Sequence, residues 1–160
     1  MIEWKEYLLE QAERSQMCTP FFDALKGCQS KVDAIRLYKK NVTWAGENDY
    51  PPLNVLRRDF TGYESEGIFI DRVFDGQLFK RQQVYVLHNC YGRITIDIDT
   101  EHQVIPMLYI ANGCNLIIER AESEDKLPIS VPVYVFGGNN VVAKDTDRIH
   151  FRIYHKHVKE

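Results

Sequence analysis

The chain has 160 residues, 44% hydrophobic and 27% charged, with 20 Lys and Arg against 23 Asp and Glu. That is room for one full domain, or one domain with a small appendage, and it excludes whole-chain disorder and collagen-like repeats. A net charge of −3 offers no footprint for a phosphate backbone, and no run nears the ~18 apolar residues of a membrane helix. Neither nucleic acid nor membrane is therefore expected as a partner. The acidic start Met-Ile-Glu-Trp-Lys-Glu lacks the layout of a signal peptide, so the expected location is the cytoplasm or a particle assembled there.

In chain order, short helices come first. Trp4, Tyr7, Leu8 and Ala12 recur at helical spacing, with Glu3, Glu6, Glu10 and Glu13 turned elsewhere. Thr19-Pro20 supplies an N-cap and a first-turn proline for a second helix carrying Phe21, Phe22, Ala24 and Leu25, and Gly27 suits its end. Ser30, with Asp33 three residues on, imitates a capping box ahead of Val32, Ile35, Leu37 and Tyr38. Pro51-Pro52 opens a fourth turn or helix to about Phe60. Pieces this short cannot bury enough surface alone and need something to dock on.

From Gly67 the character changes to β-branched and aromatic residues punctuated by Gly and Asn. Val84-Tyr85-Val86, Leu108-Tyr109-Ile110 and Val133-Tyr134-Val135 repeat one tripeptide class, with tyrosines 24 and then 25 residues apart. Each is followed by a small or polar corner and a second strand: Ile94-Thr95-Ile96, Leu116-Ile117-Ile118 and Val141-Val142-Ala143. Gly67–Phe79 reads as an incomplete first unit and Ile149–Tyr154 as a last strand. A unit of this length cannot close its own core, but stacked copies can.

This pattern resembles short parallel β-helix (β-solenoid) proteins over roughly residues 67–155. The expectation is an α+β chain: a helical cap over 1–62, then a small β-solenoid of about three to four coils over 63–160. An antiparallel β-sandwich or jelly roll is the alternative, since strands spaced near 12 residues suit it too. The stretches Asn48-Asp49-Tyr50-Pro51, Gly67 to Leu78 and Pro106 to Cys114 also resemble small gut-bacterial and prophage proteins with a helical N-terminus. That resemblance carries no functional residue.

The repeat offset predicts neighbours. Val84/Val86, Leu108/Ile110 and Val133/Val135 should face inward, opposite Ile94/Ile96, Leu116/Ile118 and Val141/Ala143. Tyr85, Tyr109 and Tyr134 then form one outward stack, able to bind sugar rings if exposed or to receive the helices if covered. Cys90 should sit beside Cys114, and Asn115 beside Asn140. No Cys-x-x-Cys pair occurs, so Cys18, Cys28, Cys90 and Cys114 are expected as reduced thiols. The stretch Arg120–Val131, rich in acids, should be a loop.

Asp97, Asp99 and Glu119 form the alternative, acidic site. The first two alternate along a strand, and Glu119 should be the next rung's equivalent of Asp97. Polysaccharide lyases that this architecture resembles use such acids, but Lys144 on the third rung suggests a charge-paired outer face. His155 and His157 share a strand face as a two-ligand edge, and apart from Glu160 no cysteine or acid of suitable spacing completes it. No metal site, cofactor or catalytic motif is expected. The reading is a non-enzymatic binding or structural module of the phage or prophage kind. Its partner is a second copy, an assembly partner or a glycan, and a carbohydrate-active enzyme is the alternative.

Overall fold

The computed structural model describes residues 5–6, 9–10, 13, 19–37, 64–111, 113–122 and 127–156. Helix α1, Thr19–Gly27, begins at the Thr19-Pro20 pair and ends at the Gly27 read from the sequence. Residues 31–37 are helical, and Ser30 Oγ accepts the Asp33 N–H at 3.2 Å, the expected cap. Residues 5–6, 9–10 and 13 are helical as well, whereas the expected helix after Pro51-Pro52 lies outside the described residues.

Among the described residues nine strands follow: β1 Ile68–Ile70, β2 Val73–Phe79, β3 Val84–His88, β4 Tyr91–Ile96, β5 Met107–Ile110, β6 Asn115–Arg120, β7 Ile129–Phe136, β8 Asn140–Ala143 and β9 Ile149–Lys156. Odd strands make a five-stranded sheet in the order β1-β3-β5-β7-β9, and even strands a four-stranded sheet in the order β2-β4-β6-β8. Every ladder is parallel. The antiparallel alternative is not what the chain adopts; its antiparallel contacts among the described residues are isolated bridges, Asp99–Val104 and Thr146–Ile149. Strand β7 begins at Ile129, so the expected loop is shorter than Arg120–Val131, and residues 123–126 lie outside the described set.

The core lies between the sheets, built from Tyr85, Leu87, Leu108, Ile110, Val133 and Val135 on one side and Ile94, Ile96, Leu116 and Ile118 on the other. Phe69, Phe74, Phe79 and Tyr85 fill its first end, with the Phe79 and Tyr85 rings stacked at 4.5 Å. The two sheets treat their outer faces differently. Strand β3 is buried at every residue, as a parallel strand covered on both faces should be, whereas β6 alternates between exposed and buried. Among the described residues no helix is long and apolar enough to cross a membrane.

Two glycines set local geometry. Gly76 (φ +85°) is the extra residue of a bulge in β2, where the register with β4 shifts between Asp75 and Gln77. At Gly92 (φ +110°) an added Cβ would stand 2.1 Å from the Phe74 carbonyl oxygen, so only glycine permits the close approach of β2 and β4.

Candidate functional site

The tyrosine stack exists, with different members. Tyr109 stacks on Tyr134 at 4.8 Å, and Tyr134 on Tyr154 at 5.0 Å. Tyr85 is not part of it. Val86, not Tyr85, pairs with Tyr109, so Tyr85 faces the core in a row with Leu108, while Val86 takes the outward place. The cause is one added residue in a corner. Leu87 pairs with Ile110, 23 residues on, while Tyr91 pairs with Asn115, 24 residues on. A slip of one residue swaps the faces of a strand. Burial then grades along the row: Tyr109 is 1% exposed, Tyr134 partly buried and Tyr154 38% exposed.

The inward assignment of the even strands holds, but with a different rung. Ile94 pairs with Ile118, not with Leu116, and Ile96 pairs with Arg120. Glu119 accordingly sits opposite Thr95 rather than Asp97. The three acids do not share a cleft; each has its own partner. Asp97 is buried and meets Arg120 at 3.2 Å, their side chains 7% and 2% exposed. Asp99 lies in the turn after β4, where Oδ2 holds His102 Nδ1 at 2.9 Å and Oδ1 accepts the His102 N–H. Those contacts, the His102 side chain first, hold its carboxyl below the usual carboxylate range. Glu119 lies on the outer face of the four-stranded sheet, 2.8 Å from Arg93 Nη1 and 3.7 Å from Lys144 Nζ. The Arg93 hydrogen bond lowers its pKa, and the column is the charge-paired face that Lys144 implied.

Corner positions stack as the repeat requires. The Cys90 N–H donates to Cys114 Sγ at 3.4 Å, and the Cys114 N–H donates to Asn139 Oδ1 at 2.7 Å. Asn140 Nδ2 reaches Asn115 Oδ1 at 3.4 Å. Cys90 and Cys114 are free, buried thiols; contact with Cys90 and burial push the Cys114 thiol up.

Two shallow clefts, of about 310 and 360 Å³, share Lys80 and Arg81 on the turn between β2 and β3. Tyr85 fixes that turn, its Oη accepting the Arg81 and Gln82 N–H groups at 3.0 Å each. The larger cleft adds Asp99, Thr100, Glu101 and His102. This constellation escaped the sequence reading because loops far apart in the chain supply it. Arg120 was also missed, although the alternation Leu116, Ile118, Arg120 already places it inward. His155 is exposed and His157 lies outside the described residues; among the described residues no three His, Cys, Asp or Glu gather as metal ligands. No protein-family model, curated protein or solved structure matches the chain.

Proposed function

We propose that the chain is a short parallel β-helix under a helical cap, serving as a non-enzymatic structural and binding module of the phage or prophage kind. Alternation of the strands between two parallel sheets supports the β-helix reading, since each strand-corner-strand unit then contributes one coil. The observation that carries the non-enzymatic reading is the fate of the acids. Asp97 is consumed by the buried Arg120, Glu119 is neutralised by Arg93 and Lys144, and Asp99 is turned toward its own loop. A glycosidase needs two carboxyls facing one substrate bond, and a lyase needs a base beside a charge-neutralising group.

The test is a panel of neutral and uronic-acid polysaccharides, read by new reducing ends and by absorbance of unsaturated products. The expected result is no turnover by the full chain. Turnover that Asp99→Asn or Glu119→Gln abolishes would overturn this reading in favour of a carbohydrate-active enzyme.

A further inference from the structure

Strand β9 is the last strand of the five-stranded sheet, so among the described residues one of its edges has no strand beside it. In a parallel ladder, successive residues point their N–H and C=O groups to opposite sides. The turn before β9 shows which residues face the open edge. Thr146 N–H donates to the Ile149 oxygen at 3.0 Å, and Asp145 Oδ1 accepts the Phe151 N–H at 2.9 Å. The outward set is therefore Ile149, Phe151, Ile153 and His155. Asp145 and Thr146 block the first half of this edge. Among the described residues nothing bonds the outward backbone groups of Ile153 and His155. Around them Ile153 is 37% exposed and Tyr154 38%, an apolar and an aromatic side chain beside unpaired backbone. An edge of this kind is a template for a further strand.

We propose that the occupant is a second copy of this chain, its β9 antiparallel to the first about a twofold axis at Ile153. Half-blocking argues for this choice. A foreign strand running the length of β9 meets Asp145 and Thr146, whereas twofold pairing uses only the open half from each copy. In that register the two Ile153 residues exchange both backbone bonds, and each His155 N–H reaches the partner's Phe151 carbonyl, about four bonds in all. The side chains are self-complementary. Ile153 meets Ile153 on the core side, and Arg152 lies opposite the partner's Tyr154 on the outer side, where a guanidinium favours an aromatic face. Arg152 already bonds the Tyr154 hydroxyl within the chain, at 3.4 Å. No like charges stand opposite each other in these central pairs. The isologous contact closes at two chains and joins both five-stranded sheets into one. So small an interface gives a weak dimer.

This inference rests on the structural role proposed above, yet its test is separate from the polysaccharide assay. Sedimentation equilibrium of the full chain, from low micromolar to near-millimolar protein, should show the mean mass rising from one chain to a plateau at two. Ile153→Pro removes an outward N–H, which an edge strand tolerates, and should abolish the rise. Tyr154→Arg sets Arg against the partner's Arg152 on an exposed face and should raise the dissociation constant at least tenfold without unfolding the chain. It decides the matter if Ile153→Pro fails to fold. A chain that stays monomeric throughout, a mass that grows past two, or a dimer indifferent to both substitutions would overturn the proposal. The non-enzymatic reading survives each of those results.

Discussion

At Arg120 the repeat places a cation where its register neighbour, Ile96, is apolar. The guanidinium answers its burial with several partners at once. Nε donates to Asp97 Oδ1 at 3.3 Å, and Nη1 donates to the carbonyls of Leu127 and Arg148 at 2.6 and 2.5 Å. It thereby ties the end of β6 to the residue after β4 and to the segments that lead into β7 and β9. Removing one partner of such a buried pair costs about 3–5 kcal/mol, because the other charge stays desolvated. Arg120→Met should accordingly lower the melting temperature by about 6–20 °C in a chain of this size, and adding Asp97→Asn should restore part of it. Glu119→Ala, one position away on the outer face, should cost less than about 1 kcal/mol, since Glu119 and its partners are partly in solvent. Thermal denaturation of the three variants checks the contrast. Asp145 gives a pH dependence. The Phe151 N–H, then His150, hold its carboxyl below the usual range. A depressed carboxyl contributes stability that is complete above its unfolded value, about 3.9, and is lost as pH falls through the folded value. Asp145→Asn should thus flatten the loss of stability below about pH 4, measured by urea unfolding across that range.

Between elements, spacing matters more than contact chemistry. Because Gly92 leaves no room for a Cβ against the Phe74 carbonyl, Gly92→Ala must push β2 and β4 apart or bend one of them. The expected loss exceeds about 2 kcal/mol, as for strain at a special backbone position. Gly27→Ala, at the end of α1 with no atom within 4 Å of the added Cβ, should stay within about 0.5 kcal/mol. Urea midpoints of the two variants make the comparison. The same issue of spacing divides what could be read from the sequence from what could not. Strand positions, the Cys90–Cys114 and Asn115–Asn140 neighbours and the inward Ile94, Leu116 and Ile118 were legible, because alternation and period depend on residue type alone. The place of Tyr85 was not. The corner after β5 holds one residue more than the corner after β3, and matching tripeptides hides that difference. The isolation of Asp97 from Asp99 was equally hidden. Strand β4 ends at Ile96, so the alternation that would pair the faces of Asp97 and Asp99 stops before both.

Across the whole molecule, the outer face of the five-stranded sheet needs a cover. Rows in register on that face are buried through most of their length. Ile68, Val86 and Tyr109 form one, and Ile70, His88, Ala111 and Phe136 belong to another. None of these side chains belongs to the core between the sheets. On the helical side Leu25, Ala34 and Ile35 are buried too, and Arg36 reaches Glu66 at 3.3 Å, just ahead of β1. We infer that the helical segment lies over this face and that exposure rises at Tyr134 and Tyr154 because the cover ends there. Uncovering five large side chains at about 1.5–3 kcal/mol each would remove on the order of 10 kcal/mol before chain entropy is counted. Whole-domain stability is about 5–15 kcal/mol, so the strands alone should not hold together. Residues 63–160 expressed by themselves should be insoluble, or should melt without a cooperative transition, where the full chain melts cooperatively. A soluble fragment with a sharp melt would sink the docking of the helices on this sheet, and would leave Val86, Tyr109 and Phe136 as an apolar face open to some other partner.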